Sequence, residues 1–370
     1  MANTLITHAS PLTIKKWSGE LALVAGKDSY FAKRFIGKGP SNVVQQRTEL
    51  EDGPGDQIQY DLLVSLNGRG TAGDNRVGGN LESLKFASDY VLIDQFRKGV
   101  SGGGKMSQKR TMHDLRSNAK DLMGGWWART MDELLFMYTS GARGNNADFI
   151  EPVTFTGHAG NSIVAPDASH IMYCGAASSK ATVANTDIMS TTVIERAVTK
   201  ATTLNAVDRY ISNIQPIEVD GSKHFVLLMS PFQAYSLRNA DTTGWIKIQQ
   251  AAITAEGKKN PIFVGGLGLI NNVILHEHIS VITFGDYGAG ANLPAARALL
   301  LGKQAAVIAF GSTSGMRFDW KEEMIDYDNV PTFMTGLTFG IKKCTFNPEG
   351  GSGPTDFGVM AIDGYAVNPG

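Results

Sequence analysis

The chain has 370 residues, 42% of them hydrophobic, enough to bury a sizeable core in one elaborated domain or two. Lys and Arg total 34 against 35 Asp and Glu, so no global charge draws it to nucleic acid. The short pairs Lys15-Lys16 and Lys109-Arg110 read as solvated surface, and no specific nucleic-acid binding is expected. Cys174 and Cys344 show neither metal spacing nor a disulfide framework, which points to a reducing compartment. The start of the chain lacks a basic-then-apolar leader, and no run approaches a membrane span, so a soluble protein without a membrane partner is expected.

Residues 1–48 are weakly periodic. They hold Trp17, Leu21, Leu23, Val24, Tyr30, Phe31 and Phe35, too many large apolar groups for a free tail and too scattered for a private core. An arm that packs on something else fits them. Segments 57–66 and 86–96 alternate as strands do, around Ile58, Tyr60, Leu62 and Val64 and again around Tyr90 and Leu92. Between them, residues 67–80 are rich in glycine and nearly devoid of apolar side chains. Two strands with such a tip make an extended hairpin, which is either a mobile loop or an element that finds its partner on another chain.

From Thr111 to Gly141 apolar or small residues recur at steps of three or four and one: Leu115, Ala119, Leu122, Met123, Trp126, Trp127, Thr130, Met131, Leu134, Leu135 and Tyr138. This pattern predicts a helix about 43 Å long with a broad apolar stripe. Thr111 with Asp114 resembles a capping box, and Gly141 supplies the stop. Gly124-Gly125 at the centre fits either a bent core helix or, the favoured reading, a strut that needs close backbone approach midway. Residues 142–185 follow with poor periodicity. A second amphipathic helix is expected over Ser190–Leu204, a buried strand over Phe225–Met229, and a helix opened by Ser230-Pro231. Apolar segments at 262–284 and 297–310, strands from Phe318 to Phe346 and a last one at Phe357–Ile362 complete an α+β order without a βαβ repeat.

Chemistry-bearing patterns are few. Gly99 to Lys105 matches a phosphate-binding loop up to its last position, where Met106 replaces the metal-binding hydroxyl. His276-Glu277-His278 puts two histidines on one strand face, but no third ligand is nearby. Asp319, Glu322, Glu323, Asp326 and Asp328 cluster around Trp320 without a calcium-loop pattern. No catalytic residue, metal or cofactor is assigned. The runner-up reading is a divergent nucleotide hydrolase built on Gly99–Lys105.

The ordered residues suggest a family. Gly55-Asp56, Leu66-Asn67-Gly68, Gly73-Asp74 and Gly79-Asn80-Leu81-Glu82 mark the hairpin. Tyr90 to Arg97, Arg110-Thr111, His113-Asp114-Leu115, Trp126, Trp127, Asp132 and Thr139-Ser140-Gly141 run into and along the long helix. Pro216, Gly221, Met229-Ser230-Pro231, Asn260 to Phe263, Gly265, Gly268 and Leu300 to Ala305 follow. Trp320, Glu322-Glu323, Asp326 to Asn329, Gly340 to Lys343 and Asp356 to Val359 complete the set. Over residues 45–365 the chain resembles the major capsid proteins of tailed bacteriophages. The resemblance implies a Hong Kong 97-like α+β fold and a virion shell assembled in the bacterial host cytoplasm. A shell protein of a non-viral compartment with the same fold is the other alternative.

In that fold residues 1–48 are the N-terminal arm and 49–106 the extended loop. Residues 107–185 and 311–348 belong to the peripheral domain, 186–310 to the axial domain, and 349–370 return to it. The resemblance implies inter-subunit contact by Asn67, Gly68, Arg69, Gly73, Asp74, Asn75, Arg76, Gly79 and Asn80. It gives a spine helix carrying Leu115, Leu122, Trp126, Trp127 and Leu134. Its partners are copies of itself in hexamers and pentamers, a portal and a decoration or cement protein. An arm that starts almost at residue 1 suggests a separate scaffold protein.

Overall fold

The computed structural model describes residues 29–51, 53–64, 66, 68–111, 114–219, 221–240, 262, 266–312, 317–347 and 353–368. Most of the arm, Asn67, His113 and most of Asn260–Gly265 lie outside them. A short arm helix, Tyr30–Arg34, leads into strands β1 (Ile36–Gly37), β2 (Val44–Leu50) and β3 (Gln57–Leu63). After the glycine-rich tip come β4 (Phe86–Leu92) and β5 (Asp94–Ser101), then a six-residue helix, Lys105–Arg110, and the long helix, Leu115–Ser140. Short strands β6 (Gly157–His158), β7 (Asn161–Ser162) and β8 (Ile171–Tyr173) precede a helix at Thr191–Thr202. Next are β9 (Ile217–Val219), β10 (Ser222–Met229), a helix at Pro231–Ala240, β11 (Gly268–Ile270), β12 (Val273–Glu277), β13 (Thr283–Tyr287) and β14 (Leu293–Leu301). The chain closes with β15 (Ala306–Gly311), β16 (Phe318–Ile325), β17 (Val330–Lys343), β18 (Thr345–Phe346), β19 (Thr355–Asp356) and β20 (Val359–Tyr365).

Two sheets organise these elements. One runs β1-β2-β15-β17-β16, with β5 also paired to β17; the other runs β11-β12-β10-β14-β20-β8, with β13 on β14 and β9 on β10. Parallel and antiparallel pairs mix in both, and helices lie outside any repeating unit, which is the α+β arrangement. Strand Ala306–Gly311, at the boundary of the expected axial segment, sits between β2 and β17 in the first sheet. Ile171–Tyr173, from the 142–185 stretch, pairs with β20 in the second.

The long helix starts at Leu115, three residues later than the pattern suggests. Its N-cap is Asp114, whose carboxylate accepts from the amides of Arg116 and Ser117, so Thr111 takes no part in a capping box there. Gly141 ends it in the left-handed region at φ 68°, and a Cβ there would lie 2.2 Å from the Val164 carbonyl oxygen. Gly125 meets no close neighbour: a Cβ built on it has nothing within 4 Å. The midway close approach does not occur at that residue.

The single stripe also gives way. Leu122 is 74% exposed, Leu115 and Trp126 are half-buried, and Trp127 and Leu134 are buried. From Asp132 to Ser140 every residue is buried, because this half of the helix runs through the core instead of along it. Trp127 anchors it to the first sheet, donating Nε1–H to Thr335 Oγ1 at 2.8 Å and meeting Phe96, Phe318 and Phe339 edge-on. The other end is tied to the second sheet. Arg297 grips both oxygens of Asp363 at 2.7 Å and donates to the Ser140 carbonyl at 2.9 Å. Tyr287 completes that buried set with a 2.6 Å bond to Asp363.

Candidate assembly site: the hairpin, its base and the arm helix

Strands β3 and β4 pair over seven residues, Gln57 opposite Leu92 through Leu63 opposite Phe86. Strand alternation sends Ile58, Tyr60, Ala87 and Val91 to one face, where they pack on Val307, Ala309, Cys344 and Phe346. Within that face Tyr60 donates to Asp89 at 2.7 Å, and Lys342 pairs with the same carboxylate. Burial, reinforced by Cys344 and Asp89, pushes the Tyr60 hydroxyl pKa well up; burial and Asp89 push the Cys344 thiol up to about 12. Both groups stay neutral structural parts.

The base of the hairpin is held from two sides. Asn161 takes the Leu92 amide at 3.0 Å and gives its own amide to the Leu92 carbonyl at 2.7 Å. Gly340 lies so close that a Cβ there would be 1.8 Å from the same carbonyl. Past Ile93 the strand continues as β5 along β17.

The distal part has no such support. Leu63, Leu66, Val77, Leu81, Leu84 and Phe86 are all exposed. Gly68, Arg69, Gly73, Asp74, Asn75, Arg76, Gly79 and Asn80 form the exposed tip beyond them. Its internal bonds are local: Gly68 N–H to Glu82 at 2.6 Å, Asn75 to the Ala72 carbonyl at 2.8 Å and Asn80 to Thr71 at 3.3 Å. Gly73 supplies the positive φ that the tip's turn requires.

The arm helix docks on the long helix through a cap borrowed from it. The Asp132 carboxylate accepts from Ser29 Oγ at 2.7 Å, Tyr30 N–H at 2.6 Å and Phe31 N–H at 3.0 Å. Burial pushes the carboxyl pKa up, while these bonds and Arg34 pull it down; the net direction is up. Phe31 and Phe35 pack in the core, and Tyr30 lies against His278 with ring centroids 4.5 Å apart. Sequence reasoning did not assign Asp132 this role; the available signal was an acidic residue in a densely apolar helical run.

The other motifs resolve into structure. Gly99–Ser101 are strand residues paired with Thr332–Met334, Gly102 N–H donates to the Pro331 carbonyl at 2.7 Å, and Lys105 N–H donates to Asn329. The first three residues of the near-match are extended strand and the Gly102, Gly103 and Lys105 amides are bonded within the chain, so the loop does not take the form of a phosphate cradle. His276 is buried with Nε2 2.8 Å from the Ile262 carbonyl, and His278 accepts from Ser280 N–H and stacks on Phe136. Burial lowers both imidazoles to about 4, with Arg34 adding to the effect. Among the described residues no cluster of three or more His, Cys, Asp or Glu is placed to hold a metal ion. Glu322 serves Arg116 and Trp320, whereas Glu323, Asp326 and Asp328 face solvent. The turn after β16 holds Asp326, Tyr327 and Asp328 at φ 56°, 50° and 63°. Left-handed conformation costs roughly 1–2 kcal/mol per L-residue, least for Asp.

Buried polar networks lock the elements together, and the hairpin leaves an apolar surface open. Similarity to known proteins gives the class, a structural shell protein with the Hong Kong 97-like fold. A model of phage capsid proteins matches residues 5–368. The structure is similar to the capsid of Ralstonia phage GP4, at 51% identity over all of both chains and a TM-score of 0.86. It shares its fold with the capsid of cyanophage Pam1, with a TM-score of 0.70 at 20% identity, over 92% of this chain and 93% of that one. In sequence it is 25% identical over 358 residues to the major capsid protein of Pseudomonas phage KPP25, covering 91% of each. The chain belongs to the phage capsid protein family. It is a non-enzymatic shell protein of the virion.

Proposed function

We propose that copies of this chain, as hexamers and pentamers, build the icosahedral head of a tailed phage around double-stranded DNA, and that the hairpin lies across a neighbouring subunit. The observation that carries this reading is the contrast along the hairpin: its proximal face is packed and clamped, its distal apolar side chains are open. In this reading 1–48 is the arm, 49–106 the extended loop, and 107–185 with 311–348 the peripheral domain, joined by the Ala306–Gly311 strand. Residues 186–310 form the axial domain with 349–370 returning to it. Assembly takes place in the host cytoplasm with a separate scaffold protein, a portal and a decoration or cement protein.

Deleting residues 67–80 tests the reading. The expected product is a folded monomer or capsomer that sediments slowly and forms no closed shells. Shells of normal size and stability from that deletion would overturn it.

A further inference from the structure

The turn between β16 and β17 is the least explained feature of the surface. Tyr327 is fully exposed at 102% and is flanked by two residues that share its left-handed backbone. Asp326 and Asp328 tolerate that conformation; a tyrosine gains nothing from it within its own chain. Met324 and Ile325, both exposed, flank the same turn. The result is an apolar knob bordered by carboxylates. At the hairpin tip the chemistry is reversed. Arg69, Arg76 and Arg209 line one open hollow with Leu81, and Glu82, which also lines it, accepts from Gly68 N–H. Arg69 and Arg76 enter no ion pair among the described residues.

We infer that the Asp326-Tyr327-Asp328 turn of one copy seats in the Arg69–Arg76–Arg209 hollow of another. The inference rests on the reading of the hairpin tip as an inter-subunit element and names the surface that the tip meets. Guanidinium forks pair with carboxylates and also stack on an aromatic ring, so one tyrosine between two aspartates matches a ring of arginines. Tyr and Arg are the side chains that dominate the energetics of protein interfaces. Within one copy the two surfaces lie at opposite ends of the β4–β5 run, since the turn adjoins Ser101 and the hollow lies beyond Phe86. That is roughly 50 Å of extended chain. A contact between two different patches is heterologous, the kind that repeats around rotation axes.

Two measurements on the full-length protein test it. In assembled shells, Asp328→Cys combined with Arg76→Cys should give covalent oligomers on mild oxidation, resolved on a non-reducing gel. Each single variant should not, and the buried Cys174 and Cys344 supply an internal control. Separately, Asp326→Lys with Asp328→Lys should lower shell yield at least tenfold, as should Arg69→Glu with Arg76→Glu. All four together should restore it. Absence of both the double-cysteine ladder and the rescue overturns the contact. Normal shells from the arginine reversal, with loss of bound DNA, would assign the arginines to nucleic acid and also overturn it. If deletion of 67–80 abolishes shells while rescue and cross-link both fail, the hairpin reading stands and this partner surface is wrong. If that deletion leaves shells intact, the hairpin reading itself has failed.

Discussion

Asp132→Ala is the sharpest test of how the arm is held. The substitution removes three hydrogen bonds of 2.6–3.0 Å from the first turn of the arm helix. Ser29 Oγ still caps Ala32 N–H at 3.1 Å, so the turn is not left wholly uncapped. Losing a cap costs about 1 kcal/mol. Phe31 is fully buried, and an unpaired amide there costs about 2 kcal/mol more. Together these amount to roughly 3 kcal/mol, or about a hundredfold in the opening equilibrium of residues 29–35. Asp132→Asn keeps an acceptor oxygen and should lose about half as much. Native-state hydrogen exchange at Phe31–Phe35, with tryptic cleavage after Lys33 and Arg34, reads the opening directly. Exchange in Asp132→Ala within threefold of the unaltered protein would show that the carboxylate does not hold the arm.

Three further outcomes are expected. Gly340→Ala drives a methyl into the Leu92 carbonyl and should cost about 3 kcal/mol in urea unfolding, a loss that an unshifted midpoint would contradict. His276 titrates near 4 when folded and near 6.5 when unfolded, so the unfolded chain takes the proton first. The His276 part of stability is therefore complete above about pH 6.5 and falls as pH drops toward 4, by up to about 3 kcal/mol; His276→Phe should reduce the slope, with His278 supplying the remainder, and a slope unchanged in the variant would refute the assignment. Nucleotide should produce no thermal shift in the parent protein or in Lys105→Ala. A ligand at a hundred times its Kd would add about 2.7 kcal/mol, so an ATP-dependent shift lost in Lys105→Ala would restore the hydrolase reading.

The elements that the sequence revealed are those whose local pattern and tertiary setting agree. Ile58, Tyr60 and Val91 alternate because one face of the hairpin is packed and the other is not. Ser230-Pro231 opened the expected helix, and Gly141 ended the long one. That helix is capped by Asp114 and not by Thr111 because both residues can cap on local grounds, and Asp114, the stronger N-cap, takes the role where the chain leaves the short Lys105–Arg110 helix. The stripe failed beyond Asp132 because a helix surrounded by core has no solvent side for periodicity to mark. Contacts between distant residues left no local trace. Asn161 on Leu92, Asp132 on the arm helix and Arg297 on both Asp363 and Ser140 each join residues at least 65 positions apart. The same holds for the strained Tyr327 turn, whose residues individually look like an ordinary solvated acidic loop.

The pairing of β5 with β17 has a mechanical consequence. Eight residues, Asp94 to Ser101, lie antiparallel against Phe339 to Thr332, directly in line with the clamped base at Leu92. Tension along the hairpin therefore loads this ladder in shear, so that its rungs resist together instead of parting one at a time as in a peeling strand. The force then passes from β17 into β15 and β2. If the hairpin lies across a neighbouring subunit as proposed, internal pressure loads each copy as a tie-rod, and failure under load is set by the rate at which that ladder slips.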